Sequence, residues 1–181
     1  SQQLDVPVAI ETEDCSRYAC RQFDRVPQGG SPDWMQKRLR QAGMRPISVL
    51  VDLTNYVMLE VGQPLHAFDL DQLQGGQIVV RKARPGEKLT TLDGNEHELR
   101  PDQMMICDAG RPVAAAGIMG GLESEVTDGT AHMLLESAHF LNTSVRRTRK
   151  ELGLSTEASY RFERSVDPEG VVGALNRFAI L

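Results

Sequence analysis

One segment, from Asn55 to Asp69, constrains the fold of this chain more than any other. An apolar helical stripe runs through its first half and meets a Gly-Gln-Pro break at positions 62–64, which ends the helix. A histidine, a phenylalanine and an aspartate follow, where the pattern becomes that of a strand. Local structure does not require these three side chains together, so we treat the segment as a candidate functional site.

The composition is that of a folded chain with one sizeable core. Its 181 residues are 40% hydrophobic, which is enough for one domain or for two closely packed lobes. Three cysteines do not form a disulfide framework, and they fit a reducing cytosol. No targeting segment is visible and the apolar runs are too short to span a bilayer, so we expect a cytoplasmic protein without a membrane partner.

The net charge of −5 argues against one common mode of RNA binding. A chain with this charge does not present the broad positive field that holds nucleic acid through phosphate contacts. If RNA is the substrate, something else must therefore hold most of it.

Capping and turn residues predict two helices before position 66. In the first, Ser31 is the candidate cap, Pro32 suits the first helical position and Gly43 ends the helix. The second helix ends at Gly62 and Pro64. Its apolar face comprises Ile47, Leu50, Val51, Thr54, Met58 and Val61.

Two more helices are predicted near the end of the chain. Asn142 is the candidate cap of one that ends at Gly153. Pro168 opens another, which is still running at Leu181. That abrupt end predicts that the chain is a piece of a longer protein.

Short strands separated by turns fill the middle of the chain. Residues Cys15 to Val26 alternate loosely and predict the first strand. Turn pairs such as Pro85-Gly86 and Asp93-Gly94 separate the others. These are predicted at 78–81, 89–92, 104–107, 113–119 and 133–136. Residues 1–181 therefore predict a single α+β domain, with helices packed on a layered β-sheet or sandwich core.

Familiar catalytic signatures are absent from the sequence. There is no Gly-x-Ser-x-Gly elbow, no His-Glu-x-x-His pair, no P-loop and no Cys-x-x-Cys pair. The four histidines, at 66, 97, 132 and 139, lack the spacing of metal ligands. The sequence therefore argues against a zinc or serine hydrolase and predicts no metal site.

Glu136 is the sharpest candidate site residue, because it directly follows the apolar run Met133-Leu134-Leu135. A carboxylate at the end of an apolar strand is costly to desolvate unless it has a partner. On spacing alone, an ion pair with a nearby arginine is the favoured explanation.

The other candidates also have ordinary structural explanations. His66 would be a satisfied histidine at a strand start, and Asp69 is the only close acidic group that could orient it. Ser155 or Thr156 could cap a helix, and the glycine-rich run 116–121 is by itself mostly a tight turn. A basic cluster is by default a solvated helix face. Its members are Arg146, Arg147, Arg149 and Lys150.

Four motifs taken together indicate similarity to a known family. They are the segment 55–69, Ala116 to Gly121, Leu134 to Glu136, and Ser155 to Arg164. Through them the chain resembles, over nearly its whole length, the B3/B4 editing domain of the bacterial phenylalanyl-tRNA synthetase β subunit. The resemblance implies a B3/B4-like α+β fold of unusual topology. One departure is Ser165, which stands where the family usually has glycine.

The resemblance implies a role for each matching residue. Glu136 would receive the phenolic hydroxyl of a misattached tyrosine, so that tyrosine is accepted and phenylalanine is spared. His66 and Asn55 would orient the 3′ end of the tRNA and the attacking water. The residues implied to shape the amino-acid pocket are Thr156, Ala158 and Gly120, with Gly117 as an alternative to Gly120.

The implied function is hydrolysis of the ester that joins tyrosine to tRNA(Phe), within the synthetase. If the chain meets tRNA, the basic cluster is where phosphates of the acceptor end would lie. The implied partners are the tRNA(Phe) 3′ end, other β-subunit domains and the α subunit. No cofactor is implied for this domain, since ATP and Mg²⁺ would belong to the synthetic site of the full enzyme.

The alternative is a non-catalytic module that guides tRNA or docks against other synthetase domains. A filled or closed pocket around Ala158 and Glu136 would indicate that alternative.

Overall fold

The computed structural model describes residues 6–181, so the first five residues of the predicted domain lie outside the described part. The described residues form an α+β fold with two main sheets and a helical layer. Its strands are β1 (Val8–Ile10), β2 (Cys15–Asp24), β3 (Leu65–Asp69), β4 (Ile78–Lys82), β5 (Lys88–Thr90), β6 (Glu96–Glu98), β7 (Met104–Cys107), β8 (Pro112–Ala115), β9 (Met119–Gly120) and β10 (His132–Phe140). Its α-helices are α1 (Asp33–Gln41), α2 (Val49–Val61), α3 (Asn142–Leu152), α4 (Glu157–Phe162) and α5 (Gly170–Ile180).

Strand β10 is the centre of a three-stranded antiparallel sheet with the order β2-β10-β3. Side chains alternate between the two faces of a strand, and both faces of β10 are buried. Leu134 and Glu136 lie on one face, while Met133 and Leu135 lie on the other. The strand therefore separates two hydrophobic cores.

The first core lies between this sheet and the helical layer. Helix α5 packs on α2 and on β10, and α1 packs on α2. The fully buried side chains of this core include Met35, Leu39, Val57, Met133 and Leu135. The predicted second helix is confirmed as α2, with Leu50, Thr54 and Met58 buried.

The second core joins the three-stranded sheet to a five-stranded sheet with the order β1-β4-β7-β8-β9. Strands β1 and β4 are parallel, and the other pairs are antiparallel. Its fully buried side chains include Phe68, Ile78, Ile106, Leu134 and Phe140. The small hairpin of β5 and β6 is a third sheet, and β1 and β6 are strands that the sequence did not predict.

Buried Asp52 changes how the first two helices begin. The Ser31 hydroxyl donates to Asp52 Oδ2 at 2.5 Å, so the prediction that Ser31 caps α1 is wrong, and Pro32 takes the cap position without a side-chain bond. The N–H of Ile47 donates to Asp52 Oδ1 at 2.8 Å. Ile47 thus precedes α2 and is 70% exposed instead of lying on its buried face. A carboxylate that is 1% exposed takes these donors because desolvation without partners is costly.

The run predicted as one strand at 113–119 is two strands, β8 and β9, joined by a tight turn. Ala114 pairs with Gly120 across this hairpin. Gly117 adopts φ +70° in the turn, a conformation that favours glycine. The hairpin brings both glycines to the space between the two sheets.

The ends of the later helices agree with the sequence to within two residues. Asn142 is the first residue of α3, and Leu141 takes the cap position, so the prediction that Asn142 caps this helix is wrong. The Asn142 side chain accepts a hydrogen bond from the N–H of the next residue, Thr143. Gly153 ends α3 in the left-handed conformation, as predicted. Helix α5 begins two residues after Pro168. No helix among residues 6–181 has the length and apolar character needed to cross a membrane.

Replacing Leu134 by alanine tests the importance of the second core. Leu134 is 0% exposed at the centre of β10, so Leu134→Ala is expected to lower the free energy of unfolding by about 2–5 kcal/mol in urea denaturation. The matched control is Leu122→Ala, because Leu122 is 44% exposed and the same atoms are deleted. Its expected effect is below about 0.5 kcal/mol, and equal effects of the two changes would contradict this account of the core.

Candidate functional site

Three side chains form a row across the three-stranded sheet. Glu136 on β10 is directly opposite His66 on β3 and opposite Cys20 on β2. Directly opposed residues share a face of the sheet, with Cβ atoms about 4.5–5.5 Å apart. Two of the predicted site residues, Glu136 and His66, are therefore neighbours on the face that looks toward the five-stranded sheet.

A cavity with about 380 Å³ of empty space lies between the two sheets and is open to solvent. Its polar wall comes from His66 and Glu136. Its other walls are apolar, and many of their side chains are small. The small ones belong to Ala114, Ala115, Gly117, Gly120 and Ala158. The structure thus brings together five of the residues predicted from the sequence.

Glu136 is bound to a phenol of the protein itself. The hydroxyl of Tyr18 donates to Glu136 Oε2 at 2.7 Å. The prediction that Glu136 pairs with an arginine is therefore wrong. No described residue donates a hydrogen bond to the other carboxylate oxygen, Oε1. Burial raises the pKa of the Glu136 carboxyl to about 7, while the hydrogen bond from Tyr18 opposes that rise. The carboxyl therefore changes its charge near neutral pH.

His66 is a neutral imidazole in this site at physiological pH. Its ring meets the ring of Phe68 edge to face, with centroids 4.4 Å apart. Desolvation lowers the pKa of His66 to about 4. Asp69, the acidic candidate for orienting it, instead accepts hydrogen bonds from the Thr130 hydroxyl and from the N–H of Asp71. No described carboxylate orients the imidazole.

The two glycines of the cavity wall are required by close contacts. A Cβ atom built on Gly120 would lie 2.7 Å from Nε2 of His66. A Cβ atom built on Gly117 would lie 3.0 Å from the rings of Phe140 and Phe162. Glycine at both positions therefore lets the imidazole and the two phenylalanine rings pack directly against the backbone of the hairpin.

Thr156 supports the wall without lining it. Its hydroxyl caps α4 in a capping box with Ser159, which confirms Thr156 as a helix cap. The same hydroxyl donates to the carbonyl oxygen of Ile118 at 2.7 Å. These bonds fix α4, and with it Ala158, against the β8–β9 turn. Asn55 is half-buried on α2 and does not line the cavity.

Comparison with known proteins identifies the family. A family model described as the B3/4 domain matches residues 14–181. The chain belongs to the B3/4 domain family. It is 58% identical over 167 residues to the phenylalanine–tRNA ligase β subunit of Moorella thermoacetica, covering 92% of this chain and 21% of that protein. It is 55% identical over 177 residues to the corresponding subunit of Anaeromyxobacter dehalogenans, covering 97% and 22% respectively. The chain thus spans about a fifth of the length of these relatives.

A solved structure supports the fold of this B3/4 domain. An N-terminal fragment of the phenylalanyl-tRNA synthetase β subunit from Pyrococcus horikoshii superposes with a TM-score of 0.52 at 15% sequence identity. The match covers 85% of this chain and 49% of that one. It confirms the predicted α+β fold class.

In this B3/4 domain the chain turns after α4 at Ser165. Ser165 adopts φ +72°, which lies in the left-handed region that glycine occupies at least cost. Ser165 thus adopts a backbone conformation that glycine, which the resemblance leads us to expect here, would adopt at lower cost.

The basic cluster on α3 is only partly free. Arg147 pairs with Asp102, and Arg149 pairs with Glu163 at 2.6 Å. Arg146 and Lys150 are exposed and form no ion pair with any residue from 6 to 181. Helix α3 packs against α4, which forms a wall of the cavity. Two unpaired cations of the B3/4 domain therefore lie on the helix next to the candidate site.

Tyr18 is the site residue that sequence reasoning missed. It lies 118 positions before Glu136, and nothing around it in the sequence marks it. The only signal is its place two residues before Cys20 on β2, which puts both side chains on one face of the strand. That signal becomes useful only when the pairing of β2 with β10 is known.

The pKa of His66 provides a test of this geometry. An NMR titration of the imidazole is expected to give a midpoint near pH 4, because burial disfavours the charged ring. Since this pKa lies below the unfolded value of about 6.5, His66 stabilises the fold above pH 6.5, and that stability is lost as the pH falls toward 4. His132 is the control, because its exposed ring pairs with Asp71, which raises its pKa above 6.5. A His66 midpoint near that of His132 would show that the imidazole is solvated.

Proposed function

We propose that this B3/4 domain hydrolyses the ester of tyrosine misattached to tRNA(Phe), as the editing site of a phenylalanyl-tRNA synthetase. The observation that carries this proposal is the pairing of Glu136 with His66 on the wall of an open cavity whose other walls are apolar. The named relatives, which are phenylalanine–tRNA ligase β subunits, are consistent with it.

Glu136 can select the side chain of the substrate. Its Oε2 already accepts a phenolic hydroxyl from Tyr18, and Oε1 accepts none from the described residues. A tyrosine side chain in the cavity would donate its hydroxyl to Oε1, whereas phenylalanine would cover this acceptor and leave it unpaired. Sites built in this way discriminate by roughly 10⁴ to 10⁵-fold in favourable cases.

The cavity has room for the ring of that substrate. The empty space of about 380 Å³ in front of Glu136 and His66 opens directly to solvent, so a side chain can enter it from the surface. Ala158 presents only a methyl group to the cavity, where a larger side chain would fill it, and Gly120 lets the His66 ring lie against the hairpin instead of projecting into the cavity. Apolar neighbours such as Ile106 and Phe162 suit the faces of an aromatic ring.

His66 would position the reacting groups. In the reaction, water adds to the aminoacyl carbonyl, and the bond to the 3′ oxygen of the tRNA breaks, which gives free tyrosine and a ribose hydroxyl. A neutral imidazole can accept a hydrogen bond from that water, but with a pKa of about 4 it is a weak base. We therefore assign His66 to positioning the water, and Asn55, which lies outside the cavity wall, to the tRNA 3′ end.

Most of the tRNA would be held outside this domain. The net charge is −5, and only Arg146 and Lys150 of the basic cluster are unpaired among the described residues. The other β-subunit domains and the α subunit would bind the tRNA and raise the effective concentration of its 3′ end at the cavity. Water is the only co-reactant, so we assign no cofactor to the domain and leave ATP and Mg²⁺ to the ligation reaction.

One observation favours the alternative of a docking module. The helical layer exposes large apolar side chains, among them Trp34 at 43% and Val61 at 49% exposed. Such residues suit contact with other domains of a larger protein. The open cavity beside Glu136 argues against a module with docking as its only role.

Filling the cavity tests the editing function directly. In the complete synthetase, Ala158→Trp is expected to lower kcat/KM for deacylation of tyrosyl-tRNA(Phe) by at least about 100-fold, because the indole occupies the space assigned to the substrate ring. Tyr160→Trp, an exposed change on the same helix, is the matched control and is expected to retain activity. A folded Ala158→Trp enzyme that deacylates normally would remove Ala158 from the substrate pocket.

Removing the unpaired cations tests delivery of the tRNA. The double change Arg146→Ala with Lys150→Ala is expected to lower kcat/KM and to reduce its dependence on salt, with the preference for tyrosine unchanged. Lys37→Ala with Arg40→Ala removes the same charge from exposed positions on α1 and is the control. An altered tyrosine preference in the first variant, or equal effects of both variants, would contradict the assignment.

A further inference from the structure

Tyr18 and Glu136 form a fixed pair inside the second core. Tyr18 is opposite Ala138 in the pairing of β2 with β10, so its side chain shares a face with Glu136. Its hydroxyl donates to Oε2 at 2.7 Å, and its ring is partly buried against the core. The bond joins two strands whose register is set by the main chain. The Tyr18 hydroxyl is therefore held in place independently of any substrate.

This bond leaves the two oxygens of Glu136 in different situations. Oε2 has a permanent donor, and Oε1 has none among the described residues. Hydrogen bonds to a charged acceptor are short and strong, so the phenol limits rotation of the carboxyl group. It also favours the charged form of Glu136, which burial disfavours. One donor thus orients the unpaired oxygen and favours the charged form of the carboxyl group.

We propose that Tyr18 is a positioning residue that fixes the Glu136 carboxyl group, with Oε1 directed at the phenolic hydroxyl of the substrate. The inference rests on the proposed function. Tyr18 would act through Glu136 without touching the reacting ester. The site would then bind two phenols, one from the protein and one from the substrate, on a single carboxylate.

Glu136 is the group whose charge changes near neutral pH in this cluster. The titratable residues that face it from β2 and β3 are Cys15, Tyr18, Cys20 and His66. The walls from β7, β8, β9 and α4 contribute Ile106, Ala114, Ala115, Met119, Ala158 and Phe162, which do not titrate. Burial raises the pKa of both thiols and of the phenol, and lowers that of His66 to about 4. A pH dependence of selection near 7 therefore reports on Glu136.

The test compares deacylation of tyrosyl-tRNA(Phe) and phenylalanyl-tRNA(Phe) by the complete synthetase across the range from about pH 5.5 to 8.5. The measured quantity is the ratio of the two kcat/KM values. In the parent enzyme this ratio is expected to rise with pH around 7, as Glu136 ionises. In Tyr18→Phe the pKa of Glu136 should rise further, because a bond that favours the charged form is lost. The midpoint is expected to move up by about one pH unit, so the ratio at pH 7 should fall about fivefold with the ionised fraction of Glu136.

Three controls separate this effect from a general structural one. Tyr56→Phe removes another buried phenol, one that binds Arg38 in the helical layer, and is expected to change neither the ratio nor the midpoint. Glu136→Gln should give a low ratio that does not vary with pH, and adding Tyr18→Phe to it should cause no further change in the pH profile. A single 3-fluorotyrosine at position 18 is a stronger hydrogen-bond donor that keeps the ring, so it should move the midpoint down. If Tyr18→Phe does not fold, this variant tests the role of Tyr18 in its place, and an unchanged midpoint would contradict that role.

The outcomes distinguish the two proposals. A parent enzyme with no preference for tyrosyl-tRNA(Phe) would overturn the editing function and the role of Tyr18 together. A parent enzyme that prefers tyrosine, with a Tyr18→Phe variant of unchanged ratio and midpoint, would leave the editing function standing and remove Tyr18 from it.

Discussion

Strand β10 lies between two hydrophobic cores, and a polar side chain on it costs free energy unless it finds a partner. Glu136 is such a side chain, at 7% exposed in the middle of the strand. The neighbouring strands place two side chains beside it, Tyr18 from β2 and His66 from β3. The candidate site is therefore a consequence of how the central sheet is assembled.

The same burial sets the chemistry of both polar groups in opposite directions. Removal from water disfavours a charged carboxylate and a charged imidazole alike, which raises the pKa of Glu136 and lowers that of His66. Near neutral pH the site thus contains a neutral imidazole beside a carboxyl group that can lose its proton. Such a pair suits recognition and orientation of a substrate better than strong base catalysis.

The second sheet shapes the space in front of this pair. The β8–β9 hairpin places Gly120 against the ring of His66, and Thr156 ties α4 to the same hairpin through the carbonyl of Ile118. The cavity wall is thus held by hydrogen bonds and by close contacts that only glycine permits. Small side chains such as Ala158 leave the space open, and the Thr156 hydroxyl, which lies outside the wall, holds α4 against the hairpin.

Local sequence determined the elements whose signals lie within a few residues. The ends of α2 and α3 followed from Gly62 and Gly153, and β7 followed from its apolar run, since left-handed glycines and turn residues act on their neighbours. The resemblance of four motifs identified Glu136, His66, Ala158 and both glycines of the cavity. Local signals failed where a distant group competed, as at Ser31, whose hydroxyl binds Asp52 instead of capping α1. Only the tertiary structure decided that Tyr18 binds Glu136 across 118 positions and that Asp69 does not orient His66. These contacts depend on strand register, which is set by the packing of both cores and leaves no mark in the surrounding residues.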